Sequence, residues 1–68
     1  MQILKDYLEV AGITQAELAS RVEITPEELN RFIHGKREPR VENLRKISRV
    51  TGISIEKLVE SIDTGGGA

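Results

Sequence analysis

A chain of 68 residues holds one small domain that buries about 60% of its unfolded surface, and with no cysteine and a single histidine it has neither disulfide nor zinc site to staple it. No apolar run approaches the ~18 residues of a membrane span, and Met1-Gln2-Ile3-Leu4 lacks the charged and small-residue flanks of a signal peptide, so a soluble, cytoplasmic protein is expected. The net charge of -1 argues at first against a nucleic-acid partner, and only the distribution of that charge along the chain reverses the impression.

Leu4, Tyr7, Leu8 and Ala11 recur at helical spacing and predict a first helix over about residues 2 to 11, stopped by Gly12 with Ile13 packing behind it. Thr14-Gln15-Ala16-Glu17 fits a capping box, in which the Thr hydroxyl accepts from the third backbone N–H while the Glu reaches back to the cap. A second helix therefore runs to about Val22, with Leu18 and Val22 on its apolar face. Ala19 has no bulk to keep a crossing helix away, and Ile24 can fill the angle of the turn. Thr25-Pro26-Glu27-Glu28 repeats the capping logic, with Pro26 at the first helical position, where its fixed φ suits the helix and its missing N–H has no partner to lose. Leu29, Phe32 and Ile33 then give the stripe of a third helix, closed by His34-Gly35. Two short helices, a tight turn and a start signal at each make a helix-turn-helix.

Gly35-Lys36-Arg37-Glu38-Pro39 is a polar loop whose Pro disfavours helix at Glu38. Val41, Leu44, Ile47 and Ser48 predict a fourth helix over roughly 41 to 51, ended by Gly52-Ile53 in the manner of Gly12-Ile13. Ser54 caps a fifth, with Ile55, Leu58, Val59 and Ile62 facing inward to about Ile62. Residues 64 to 68 read as a flexible glycine-rich tail outside a domain of residues 1 to 63. No alternating apolar run suggests a strand, so the fold class is all-α, five helices in one domain.

Residues 1 to 30 carry a net charge of -4, residues 31 to 49 carry +5, and the remainder carries -2. The basic charge thus follows the third helix directly, where a groove-docked helix would meet phosphates. Placed at roughly 100° steps around that helix, Phe32 and Ile33 fall within about 60° of Leu29, while Glu27, Asn30, Arg31 and His34 fall on the opposite side. That face has the chemistry to read bases. Arg31 can donate to guanine, Asn30 can pair with adenine, and Glu27 can accept from the cytosine amino group. Each also has a plainer role, since Arg31 and Asn30 can touch phosphate alone, and Glu27 and Glu28 favour the positive pole of the helix.

Several spaced elements carry a resemblance: Gln15-x-Glu17-Leu18-Ala19, Ile24-Thr25, Leu29-Asn30-Arg31, Gly35-Lys36-Arg37-x-Pro39, Leu44-x-x-Ile47 and Gly52-Ile53-Ser54-x-x-x-Leu58. From about Leu4 to Val59 the chain resembles the phage-repressor and Cro-like (xenobiotic-response-element type) helix-turn-helix family of DNA-binding domains. The resemblance implies a compact five-helix, lambda-repressor-like domain whose partner is double-stranded DNA. It implies that Gln15 touches the DNA backbone and braces the reading helix, and that Pro26, Glu27 and Arg31 occupy base-contacting positions. Arg37 would approach phosphate and Arg40 the neighbouring minor groove, while Ala19 is structural. Thr25, Asn30, His34 and Lys36 complete the candidate DNA-binding set.

The chain departs from the family at Glu23, where a turn Gly with positive φ is usual, and at Pro26, where a polar reader is common. The reading is a sequence-specific DNA-binding domain, a transcriptional regulator or its isolated DNA-binding part. The rival is a protein-interaction module, antitoxin-like or structural, on the same scaffold; an engineered DNA-binding chain is a further alternative. Family members often form homodimers on palindromic half-sites, and Ile55, Val59 and Ile62 either supply such a contact or fill the core. No nucleophile has a base at a persuasive spacing and no Gly-rich phosphate loop precedes a helix, so no enzyme activity, metal, cofactor, membrane or small-molecule substrate is expected.

Overall fold

Short-range chemistry at the helix ends sets the element boundaries of the computed structural model, which describes residues 1–62. The elements are α1 (Gln2–Ala11), α2 (Gln15–Val22), α3 (Pro26–Ile33), α4 (Val41–Thr51) and α5 (Ile55–Glu60). The expected tail over 64–68 lies outside the described residues. Thr14 makes the full capping box: its hydroxyl accepts from the Glu17 N–H at 3.1 Å, and its own N–H donates to Glu17 Oε1 at 3.1 Å. Thr25 makes half of one, accepting from the Glu28 N–H at 3.1 Å with Pro26 following it. Ser54 caps α5 by accepting from the Lys57 N–H at 3.2 Å.

The turn between α2 and α3 closes through two backbone bonds, from Glu23 N–H to the Ser20 carbonyl at 3.2 Å and from Ile24 N–H to the Ala19 carbonyl at 3.0 Å. This is the Schellman arrangement, which needs a left-handed residue at the position of Glu23. Glu23 adopts it, at φ 67 and ψ 41, so the turn has the positive-φ geometry that the resemblance implies and carries the strain of a Cβ there. Gly35 (φ 71) closes α3 in the same way, with Lys36 N–H donating to the Arg31 carbonyl at 2.9 Å.

One apolar cluster holds the helices together: Met1 and Leu4 beside α3, Leu18, Ala19 and Val22 from α2, Leu29, Phe32 and Ile33 from α3, Leu44 and Ile47 from α4, and Leu58 from α5. Phe32, 1% exposed, is the largest side chain in it. Ala19 is fully buried where α2 meets α3 and α4, as its size at the crossing predicts. Ile24 is half-buried against the cluster.

Three apolar positions expected inside are outside. Val41 is 62% exposed, Ile55 40% and Val59 48%. The six-residue α5 ends at Glu60 rather than near Ile62, and less than two turns of helix brings only Leu58 into the core. Val41 is the first residue of α4, beyond the part of that helix that packs inward at Leu44 and Ile47. Ala11 is likewise exposed at the end of α1. In the other direction, Met1 and Pro39 are buried without having been marked as core. Among the described residues no helix is long and apolar enough to cross a membrane.

Candidate nucleic-acid interface

The third helix is fixed from one side and open on the other. Leu29, Phe32 and Ile33 anchor it in the core. Glu27, Asn30, Arg31 and His34 follow one another at i, i+3, i+4 and i+7 and are all exposed, forming a single polar face. Its start is fixed by Thr25 and Pro26, and Glu27 and Glu28 lie in the first turn, where the partial positive charge of the helix favours them.

Gln15, the first residue of α2, is half-buried, and its Oε1 accepts from Asn30 Nδ2 at 3.1 Å. This bond ties the start of α2 to the middle of α3. It also changes the expectation for both residues: one N–H of Asn30 is spent inside the protein, and the amide nitrogen of Gln15 is the donor left to face a ligand. The bracing role expected of Gln15 has a concrete partner in Asn30.

The far end of α3 is held from an unexpected direction. The α-amino group of Met1 donates to the carbonyls of Phe32 at 3.1 Å and Ile33 at 2.7 Å. A cation is thereby placed against the partial negative charge of the helix C-terminus, on the Ile33 carbonyl and on the Phe32 carbonyl, which also accepts from the Gly35 N–H at 3.2 Å. Sequence reasoning did not find this contact, because nothing local marks two positions 31 and 32 residues apart as neighbours.

The remaining candidates separate from the polar face. Lys36 is exposed just past the Gly35 stop, while Thr25, Arg37 and Arg40 line a cleft of about 640 Å³ between the turn, α3 and the start of α4. Asn43 and Lys46 line the same cleft and were not among the expected residues. Their spacing of three along α4 was the available signal, since it puts both on one side of that helix. Four carboxylates, Glu23, Glu28, Glu38 and Glu42, share the cleft, so it is not a simple phosphate cradle. Arg40 stands at the N-cap of α4, where its guanidinium, which has no acceptor atom, caps nothing.

Among the described residues no polar or charged side chain is buried, and no group of His, Cys, Asp or Glu is arranged to hold a metal ion. The polar chemistry lies on the surface, and the positive charge is concentrated from the end of α3 through the loop after it and α4. An all-α domain with two capped helices joined by a tight turn defines a class, the helix-turn-helix DNA-binding domains. A family model described as Helix-turn-helix (HTH_3) matches residues 4–58, and the chain belongs to this family of Cro/C1-type domains, whose members bind double-stranded DNA. Comparisons with curated proteins and with solved structures returned no match.

Proposed function

We infer that this chain is a transcriptional regulator, or the DNA-binding part of one, that recognises a specific double-stranded sequence with α3 in the major groove. The observation that carries the reading is the polar face of α3, three exposed side chains on an eight-residue helix (Glu27, Asn30 and Arg31) with His34 at its C-cap, whose other side is locked in the core. In this role Arg31 donates to a guanine edge, Asn30 to adenine, and Glu27 accepts from a cytosine amino group. His34, Thr25 and Pro26 border the same groove. Gln15, Lys36 and Arg37 hold phosphates, and Arg40 reaches the adjoining minor groove. A second copy occupies the neighbouring half-site, about 34–36 Å away on the same DNA face, with exposed Ile55 and Val59, one turn apart on α5, as the apolar contact between copies.

Selection of bound duplexes from a random library by the 68-residue chain tests this directly, because a recovered motif gives sequence and half-site spacing together. Against that motif, Arg31→Ala relaxes the preference at one base pair by about 1–3 kcal/mol, whereas Gln15→Ala weakens preferred and scrambled DNA alike. Equal losses for Arg31→Ala on both DNAs remove its reading role. Failure to enrich any motif favours a protein-interaction module, for which Glu27 and Glu28 supply an acidic surface. A motif with half-sites whose cooperative occupancy survives Val59→Asp rules out the α5 contact.

A further inference from the structure

We propose that the groove between the end of α2 and the middle of α4 is a docking site for an acidic segment of a partner protein, on a part of the surface that the polar face of α3 does not share. The groove encloses about 240 Å³ and is lined by Arg21, Val22, Glu23, Lys46, Arg49 and Val50. Lys46, Arg49 and Val50 fall at i, i+3 and i+4 on α4, so one side of that helix presents two cations and a half-buried valine. Arg21 faces them from the last turn of α2, and Val22, 1% exposed, closes the floor. Three cations share this small space with one carboxylate, that of Glu23. Holding like charges together without an equal number of counter-charges is unfavourable in the isolated domain and favourable once an anionic group sits between them.

Phosphate and carboxylate are both anions, and two observations favour the carboxylate. First, the adjoining cleft, which shares Glu23 and Lys46 with the groove, carries Glu23, Glu28, Glu38 and Glu42. A DNA backbone running on from Arg37 and Arg40 into the groove would pass those four carboxylates with Lys46 as the one further cation of the cleft, whereas a short peptide enters the groove without crossing the cleft. Second, half-buried Val50 offers an apolar contact beside the cations, which a peptide side chain covers and a sugar-phosphate chain does not. The groove also contains none of the polar face of α3, so it stays open when that face is covered. The occupant that fits is therefore a peptide bearing several Asp or Glu around one or two aliphatic residues. The inference does not depend on which DNA sequence, if any, α3 reads.

The test uses the 68-residue chain, amide NMR, and the peptide Glu-Glu-Leu-Glu-Glu-Leu-Glu-Glu. The expected result is a saturable set of shifts centred on Arg21, Val22, Lys46, Arg49 and Val50. Replacing both leucines by serine weakens the peptide, and the double variant Arg21→Ala/Arg49→Ala weakens it by about tenfold. The pair Arg21→Lys/Arg49→Lys, which keeps the charge, restores most of the affinity. Arg21 and Arg49 are exposed, so the variants keep the fold, and an unchanged melting midpoint verifies it. Duplex DNA is titrated in parallel, and its affinity changes less than threefold in Arg21→Ala/Arg49→Ala. Shifts centred instead on Arg31, Lys36, Arg37 and Arg40 overturn the proposal, as does an equal loss of DNA and peptide affinity, which assigns the groove to DNA. Self-association of the chain that disappears in Arg21→Ala/Arg49→Ala also overturns it, by naming a second copy as the occupant. A chain that binds no DNA at all leaves the peptide result standing, so the two readings fail separately.

Discussion

Replacing Glu23 by glycine should stabilise the domain, and the size of the effect should depend on salt in a way that separates backbone strain from charge. Glu23 stands at φ 67 and ψ 41 in the turn that joins α2 to α3. A Cβ in that conformation costs roughly 1–2 kcal/mol. Glycine removes the strain but enlarges the freedom of the unfolded chain, which returns about 0.4–1 kcal/mol. The net backbone gain is thus about 0.8 kcal/mol. The charge works the other way: Glu23 shares a groove with Arg21, Lys46 and Arg49, and losing an exposed carboxylate among three cations costs a few tenths of a kcal/mol at low salt. Screening at 0.5 M salt removes most of that cost.

Three chains measured at two salt concentrations resolve these contributions: the parent, Glu23→Gly and Glu23→Ala. Alanine discards the charge and keeps the Cβ, so it should lower the thermal midpoint slightly at low salt and leave it nearly unchanged at high salt. Glycine should lie above alanine by about 3–6 °C at both, given ~4–8 °C per kcal/mol for a domain of this size. Against the parent, the glycine gain should grow as salt is added. A glycine chain that melts no higher than the alanine chain would refute the strain argument. A larger gain at low salt than at high salt would show that Glu23 is repelled by acidic neighbours rather than held by the three cations.

Other outcomes follow from single contacts. A synthetic chain acetylated on the α-amino group of Met1 loses the cation that caps the Phe32 and Ile33 carbonyls, and should be less stable by about 1–3 kcal/mol, with faster amide exchange at the end of α3 than at its start. Ala19→Leu forces three extra heavy atoms into a fully buried helix crossing, and should cost about 1–3 kcal/mol or more by denaturant midpoint; a neutral result would mean the crossing has slack. If Arg31, Lys36, Arg37 and Arg40 each neutralise a phosphate, the logarithm of DNA affinity should fall with the logarithm of salt at a slope of about -0.9 per contact, and Arg37→Ala should make the slope shallower by about one contact. A slope near zero contradicts electrostatic docking by this segment.

Helix ends were legible because their chemistry is local. Thr14 with Glu17, Pro26 after Thr25, Ser54 before α5 and the paired stops at Gly12 and Gly52 each involve residues within a few positions of one another. The polar face of α3 was legible for the same reason, since a stripe at Leu29, Phe32 and Ile33 fixes the opposite side by geometry alone. Periodicity gives the direction of an apolar stripe but not how much of it a neighbour covers. Ile55 and Val59 belong to the stripe of α5, yet a helix of six residues reaches the core only at Leu58. Contacts between distant positions had no signal at all. The bond from Asn30 to Gln15, the amino group of Met1 on α3, and the burial of Pro39 depend on where helices cross, which local pattern does not encode.

The acidic residues bear on how a chain of net charge -1 serves the proposed reading. Glu27 and Glu28 stabilise the start of α3 through its helix dipole, by about 0.3–1 kcal/mol each. In the groove the same carboxylates repel phosphates of any sequence, which lowers non-specific affinity. At a site that offers a cytosine amino group to Glu27, a hydrogen bond offsets that repulsion, so the penalty falls unevenly on correct and incorrect DNA. A basic reader gains affinity for both; one with carboxylates on its reading helix gives up affinity for both but more for the wrong sequence. Since competing sites in a genome are numerous, the ratio of the two affinities decides occupancy more than either alone. On the proposed reading the charge along the chain divides this labour: Arg31, Lys36, Arg37 and Arg40 would draw the domain to DNA, and the acidic start of α3 would restrict which DNA holds it.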